Sequence, residues 1–250
     1  MRKSAPTMLV ALTLLCIICS AGFAAVETVT APPEAVCAGW NLFAIPAVPV
    51  ALNGNPPGYP PDVLDEFVAD GTGLDGRLLR WDSHSQTLLA WDSQDSEAVA
   101  NFGNLLINGG YWFALDPADT AQVSFTGITD NDAIDMWIPL PKAGWAMVGY
   151  PYSRPSPELQ PPYYSGTPYL WSDVKVTDGV TTKAVYDASQ CGEGWVYSVA
   201  FWWDSSTQSL MGMGLPDDFP SCESLTAWRG YWVRTFKDNL ALMMESPPQP

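Results

Sequence analysis

Ala38-Gly39-Trp40-Asn41-Leu42-Phe43-Ala44-Ile45-Pro46 returns 105 residues later as Ala143-Gly144-Trp145-Ala146-Met147-Val148-Gly149-Tyr150-Pro151. Two more signatures follow each of these stretches in the same order. Trp81-Asp82-Ser83-His84-Ser85-Gln86-Thr87-Leu88 returns as Trp203-Asp204-Ser205-Ser206-Thr207-Gln208-Ser209-Leu210, and Gly110-Tyr111-Trp112 returns as Gly230-Tyr231-Trp232. The chain therefore carries one module twice. A residue type kept in both copies most simply serves the shared fold, so a local function belongs where the copies differ.

Each signature reads as a strand. Trp40 to Ile45 alternates large and small side chains and stops at Pro46, which cannot donate to a ladder; Trp145 to Tyr150 stops at Pro151 in the same way. Leu78 to Asp82 and Thr87 to Asp92 flank a four-residue polar turn, a hairpin signal that Val196 to Asp204 and Ser209 to Met213 repeat. Gly110 to Leu115 and Gly230 to Arg234 are aromatic strands entered through glycine, followed by closing strands at Val123 to Phe125 and Leu240 to Leu242. Gly39, Gly144, Gly110 and Gly230 each precede an aromatic, where a bulge or a positive φ is expected. Helix is scarce. Pro61 to Val68 has proline and acids in its first turn, and Glu97 to Leu106 is interrupted by Gly103. Proline-rich stretches at 56–61 and 154–162 mark loops.

These patterns predict a mostly β protein made of two tandem duplicated β-sandwich- or barrel-like modules with at most short helices. The modules span 26–129 and 130–245, with a seam at Thr129-Asp130-Asn131-Asp132 and a disordered tail over 246–250. An intertwined single domain with pseudo-twofold symmetry is the rival layout. The matched tryptophans, Trp40/Trp145, Trp81/Trp203 and Trp112/Trp232, are expected to fill the module interiors. Each large aromatic hides roughly 150–250 Å², on the order of 4–6 kcal/mol as an upper bound.

The three signatures resemble a β-rich tandem module of exported bacterial and archaeal proteins, where copies accompany adhesion-type or other extracellular domains. The likeness spans nearly all of the chain after its first 25 residues. It implies a surface or extracellular setting and no catalytic residues. The second copy departs from the pattern, with Ala146 in place of Asn41.

Residues 1–25 read as a secretory signal peptide: Arg2 and Lys3, an apolar run from Met8 to Ile18, then Gly22-Phe23-Ala24-Ala25. The apolar run is too short to favour a transmembrane helix, and no later stretch approaches that length. Without the leader, nine Lys and Arg face 27 Asp and Glu, which opposes nucleic acid and anionic lipid. The mature chain is thus expected outside the cytoplasm, in periplasm, cell surface or medium. Three cysteines remain. Cys191 and Cys222 both lie in the second copy without counterparts in the first, and are expected to pair. Such a bridge would add a few kcal/mol, leaving Cys37 over.

Candidate chemistry is thin. Asp82 and Asp204 could be a glycosidase pair, but each opens a polar turn, where its carboxylate takes backbone N–H groups two residues on. His84, the only histidine, sits in a turn whose twin has Ser206, a poor place for a triad or a zinc ligand. Asp130-Asn131-Asp132 with Asp135 lacks the calcium-loop spacing, and Asp70-Gly71-Thr72-Gly73 with Asp75-Gly76 reads as glycine turns. No catalytic residue, metal site or cofactor is assigned.

The remaining lead is aromatic. From first Trp to hairpin Trp the copies differ by 17 residues, 58 in the second against 41 in the first. The region near 154–195 holds Tyr163, Tyr164, Tyr169, Trp171, Tyr186 and Trp195 among stiffening prolines. These rings either cover the second module's own core or, as rigid loop residues, meet a ligand. The expected function is a non-enzymatic exported binding or structural module, its partner a polysaccharide or another surface protein. Carbohydrate binding through Tyr163, Tyr164, Tyr169 and Trp171 is one alternative, a hydrolase with an unrecognised acid pair another.

Overall fold

The computed structural model describes residues 26–32, 35–67, 73–117, 122–129, 134–152, 169–189, 194–214 and 224–246. The leader, Tyr163, Tyr164, Cys191, Cys222, most of the proline-rich insertion, residues 130–132 of the seam and the end of the tail lie outside them. Asp70, Gly71 and Thr72 do so as well.

Two four-stranded antiparallel sheets share one strand order. In the first, β2 (Gly39–Phe43), β6 (Tyr111–Leu115), β4 (Leu78–Asp82) and β5 (Thr87–Ala90) run in the order β2-β6-β4-β5. In the second, β9 (Gly144–Gly149), β14 (Gly230–Thr235), β12 (Ala200–Asp204) and β13 (Ser209–Met213) run in the order β9-β14-β12-β13. The smaller sheets also correspond. β1 (Val26–Thr30), β7 (Ser124–Ile128) and β3 (Val48–Pro49) form β1-β7-β3. β8 (Met136–Leu140), β15 (Leu240–Met244) and β10 (Lys175–Thr177) repeat them, with β11 (Thr182–Ala184) added at the edge. The protein is mostly β, as expected, but the four small sheets among the described residues form a propeller-like set and not two exact sandwiches.

The helices are short for local reasons. α1 (Pro60–Val63) starts on proline and passes into a 3-10 turn over Asp65–Phe67. α2 (Ser96–Phe102) is capped by Asp95, whose side chain accepts from the Glu97 N–H, and stops at Gly103 with φ 70°. α3 (Val185–Ala188) follows β11.

Period-two alternation divides the strands into two faces. In β6, Tyr111, Phe113 and Leu115 are buried and join Phe43, Leu78, Trp91, Phe102 and Phe125 in one core. In β14, Tyr231 and Val233 enter a second core with Val148, Trp171, Val176, Trp202 and Leu242. The matched tryptophans point the other way, which corrects their expected place in the module interiors. Trp40 is 39% exposed, and the other five are half-buried. They meet across the boundary between the copies. Trp81 and Trp232 stand edge-on at 5.1 Å, and Trp112 and Trp203 at 5.2 Å. Trp145 then contacts Trp232 and Trp40 contacts Trp112.

The same boundary carries a reciprocal clasp. The Gln86 amide, at the tip of the first hairpin, accepts from the Trp145 N–H at 2.8 Å and donates to the Trp145 carbonyl at 2.9 Å. Gln208, at the tip of the second, accepts from the Trp40 N–H at 2.9 Å and donates to the Trp40 carbonyl at 3.0 Å. Each hairpin thus pairs with the other copy's strand through one side-chain amide. The Trp81 indole N–H adds a bond to the Trp145 carbonyl at 2.7 Å. Its counterpart on Trp203 is buried without a partner among the described residues.

Backbone also crosses the boundary. Phe43 bridges Arg229, and Gly109 bridges Val148. This explains two of the glycines. Gly39 and Gly144 have the expected positive φ, 92° and 136°. Gly110 and Gly230 do not need it: a Cβ on either would sit 2.9 Å from a carbonyl oxygen of the opposite copy, Val148 or Phe43. Trp228, at φ 67°, leaves the second copy to pack on Phe125 in the first copy's core.

Candidate functional site

Asp82 and Asp204 are occupied by their own turns. The Asp82 carboxylate accepts from the N–H of His84 at 2.9 Å and the hydroxyl of Ser85 at 2.5 Å. Asp204 accepts from the N–H and hydroxyl of Ser206 at 2.9 and 2.7 Å and the hydroxyl of Thr207 at 2.7 Å. Hydrogen bonds to the charged form favour it. The Ser85 hydroxyl accordingly leads in holding Asp82 below the usual carboxylate range, and Ser206 with Thr207 lowers Asp204 to about 2. His84 stands exposed at the turn and lends only its backbone N–H. Among the described residues no helix is long and apolar enough to cross a membrane, and no group of three His, Cys, Asp or Glu is gathered for a metal.

The aromatic lead moves. Trp171 is 2% exposed, and its indole N–H donates to the Ser198 carbonyl at 3.1 Å. Tyr169 packs against the same core and accepts from the Glu245 N–H at 3.0 Å through its hydroxyl. Burial pushes that phenol far above its ordinary range. The Trp171 ring cannot lie against a ligand without unfolding its surroundings, so it is corrected from binding to core; Tyr169 is half-buried against that core.

A different set of rings is available at the margin of the boundary face of β9-β14-β12, beside the tryptophans that meet the first copy. The segment before β12 runs beside β14, with the Tyr197 N–H donating to the Arg234 carbonyl and the Phe236 N–H to the Trp195 carbonyl, both at 2.8 Å. Val196 pairs with Thr235, yet Phe201 pairs with Trp232. The register slips by two residues between these pairs, a bulge that re-aims side chains. It brings the Tyr197 and Phe201 rings to 6.3 Å, tilted by only 21°. Phe201 contacts Trp145 at 6.0 Å, and the Arg234 guanidinium lies 5.5 Å from the Trp145 ring and 5.4 Å from Phe236. Tyr197 is 42% exposed and Phe236 51%.

Beside this run, the ammonium groups of Lys183 and Lys237 approach the Trp195 ring at 4.2 and 4.4 Å. Lys237 is also paired with Asp178 at 2.6 Å, which holds that carboxyl well below its usual range. Arg234 and Lys183 have no carboxylate partner among the described residues.

The first copy lacks the run. Leu79 stands where Phe201 does, Ala114 for Arg234 and Asp116 for Phe236. Comparing the matched strands residue by residue, and not only the insertion, is the signal that would have found these positions. Comparison with protein-family models, with curated proteins and with solved structures gives no match.

Proposed function

We propose that this chain is a non-enzymatic module of the cell surface or extracellular space that serves binding or surface architecture. The observation that carries the reading is the reciprocal Gln86 and Gln208 clasp. It ties two copies into one body with residues common to both, while the matched aspartates are spent on turns. What the second copy adds on its own is an exposed aromatic face.

That face favours a second reading, carbohydrate binding. The flat C–H face of a sugar packs on aromatic rings, and exposed rings on a rigid strand lose little freedom when a ligand arrives. The site proposed for it is the Tyr197–Phe201 face and not Tyr169 or Trp171.

Two measurements test the proposal. Exported protein is expected to begin at Val26 by mass spectrometry, and retention of the first 25 residues would refute cleavage of the leader. Glycoside, ester and peptide substrates are expected to remain intact. The sharpest control is Glu66, beside Asp65. Although the residue is exposed, burial of its carboxyl pushes it up to about 7, the range a general acid needs. Turnover that disappears in Glu66→Gln, Asp82→Asn or Asp204→Asn would overturn the non-enzymatic reading.

A further inference from the structure

We propose that the exposed margin of the β9-β14-β12 face, around Tyr197, Arg234 and Phe236, binds an acidic sugar, a uronic acid residue of a polysaccharide. Its C–H face rests on Tyr197, held by stacking on Phe201, and on Phe236, and its carboxylate is taken by Arg234. This rests on the binding-module reading and specifies its ligand.

The first argument is charge. The chain has 27 acidic residues to 11 basic ones, so a cation placed at random would find a carboxylate nearby. Arg234 is exposed and has none among the described residues; it lies instead between the Trp145 and Phe236 rings. A guanidinium held against ring faces keeps its N–H edge free, and that edge matches a carboxylate with two parallel hydrogen bonds. Lys183, laid on Trp195 beside the same strand end, is a second cation without a carboxylate partner.

The second argument is shape. The Tyr197 ring is stacked on Phe201, their planes 21° apart, which fixes an exposed ring on the strand, and Phe236 stands exposed against Arg234. A ligand that stacks on rings while presenting a carboxylate at their margin satisfies both features. A nucleic acid or an anionic bilayer would want a field of clustered cations, which a chain of formal charge −16 opposes. Leu79, Ala114 and Asp116 deny the first copy the same chemistry, so one site per chain follows.

The probes are alginate and polygalacturonate in affinity electrophoresis, with a neutral galactomannan beside them. Wild-type mature protein is expected to be retarded by one or both uronate polymers and to pass the neutral one freely. Arg234→Ala should weaken retention about tenfold or more, the worth of a hydrogen-bonded charge. Tyr197→Ala and Phe236→Ala should each weaken it several-fold. Trp137→Ala, exposed on another sheet, should leave it unchanged. All four side chains are solvent-exposed, so unchanged melting temperatures identify folded variants. Raising salt from about 0.01 to about 0.1 M shortens the screening length from ~30 to ~10 Å. That relieves repulsion between an acidic chain and an acidic polymer while sparing a direct contact, so retention should hold or rise. The proposal is overturned by no retardation on either uronate polymer, by equal retardation of Arg234→Ala, by equal binding to galactomannan, or by a steep loss with salt. Reducing ends measured in the same incubations separate the two readings. Their release refutes the non-enzymatic function, whereas absent retention without release refutes only the acidic-sugar site.

Discussion

Gln86→Ala removes one half of the clasp. The Gln86 amide makes two hydrogen bonds across the boundary, both to the Trp145 backbone, and one local bond to the Ser83 carbonyl at 2.7 Å. At about 1 kcal/mol net for each crossing bond, the loss is about 2 kcal/mol. The Trp145 carbonyl keeps the Trp81 indole, but the Trp145 N–H loses its acceptor. For a chain of this size about 2–4 °C accompanies each kcal/mol, so melting should fall by about 4–8 °C. Gln208→Ala should cost less, about 1 kcal/mol, because Gln208 is exposed and water can replace its amide. Gln86 sits at φ 58°, where alanine is as strained as glutamine and glycine is not. Gln86→Gly should therefore recover about 1 kcal/mol relative to alanine. Thermal and urea melts give the stabilities, and hydrogen exchange reads the Trp145 amide, which should open selectively. Unchanged stability together with unchanged protection at Trp145 would refute the clasp.

Gly230→Ala and Gly110→Ala should each destabilise by about 1–3 kcal/mol, because their new Cβ meets backbone of the opposite copy at 2.9 Å; neutral melts would remove the close approach from the account. Trp171→Ala should cost about 3–5 kcal/mol as a buried ring, measured by urea unfolding, whereas a small cost would return Trp171 to the surface. The turn hydroxyls hold both Asp82 and Asp204 below the usual carboxylate range. Their contribution is therefore present above the usual carboxylate range and fades as pH falls through the lowered values, for Asp204 through about 2. Asp82→Asn with Asp204→Asn should flatten the dependence of melting temperature on pH between about 4 and 2, and an unaltered slope would contradict the turn assignment.

The hairpins were legible because their turns announce themselves. Asp followed by three polar residues is a local program, and Asp82 and Asp204 carry it out within their own loops by accepting from the N–H two residues on. α2 ended where Gly103 interrupted the pattern, again a local effect. The tryptophans were not legible in the same way. Tyr111-Trp112-Phe113-Ala114-Leu115 is apolar on both faces, and alternation separates two faces without saying which holds the core. Here both are covered, one by the module and one by its twin, so Tyr111 took the interior and Trp112 the boundary. Gln86 and Gln208 stood in matched positions, but a polar turn residue gives no sign that its partner lies in the other copy. The two-residue slip that joins Tyr197 to Phe201 is a tertiary event with no local signature. Trp171 illustrates the converse: an unmatched aromatic in a longer loop reads as available, yet it lies 2% exposed in the second core.

The arrangement of the two halves is tested most directly by nuclear Overhauser contacts among indole protons of the protein in solution. Strong contacts between Trp81 and Trp232, and between Trp112 and Trp203, are predicted. Intact strands with neither contact would mean that the halves fold without grasping each other.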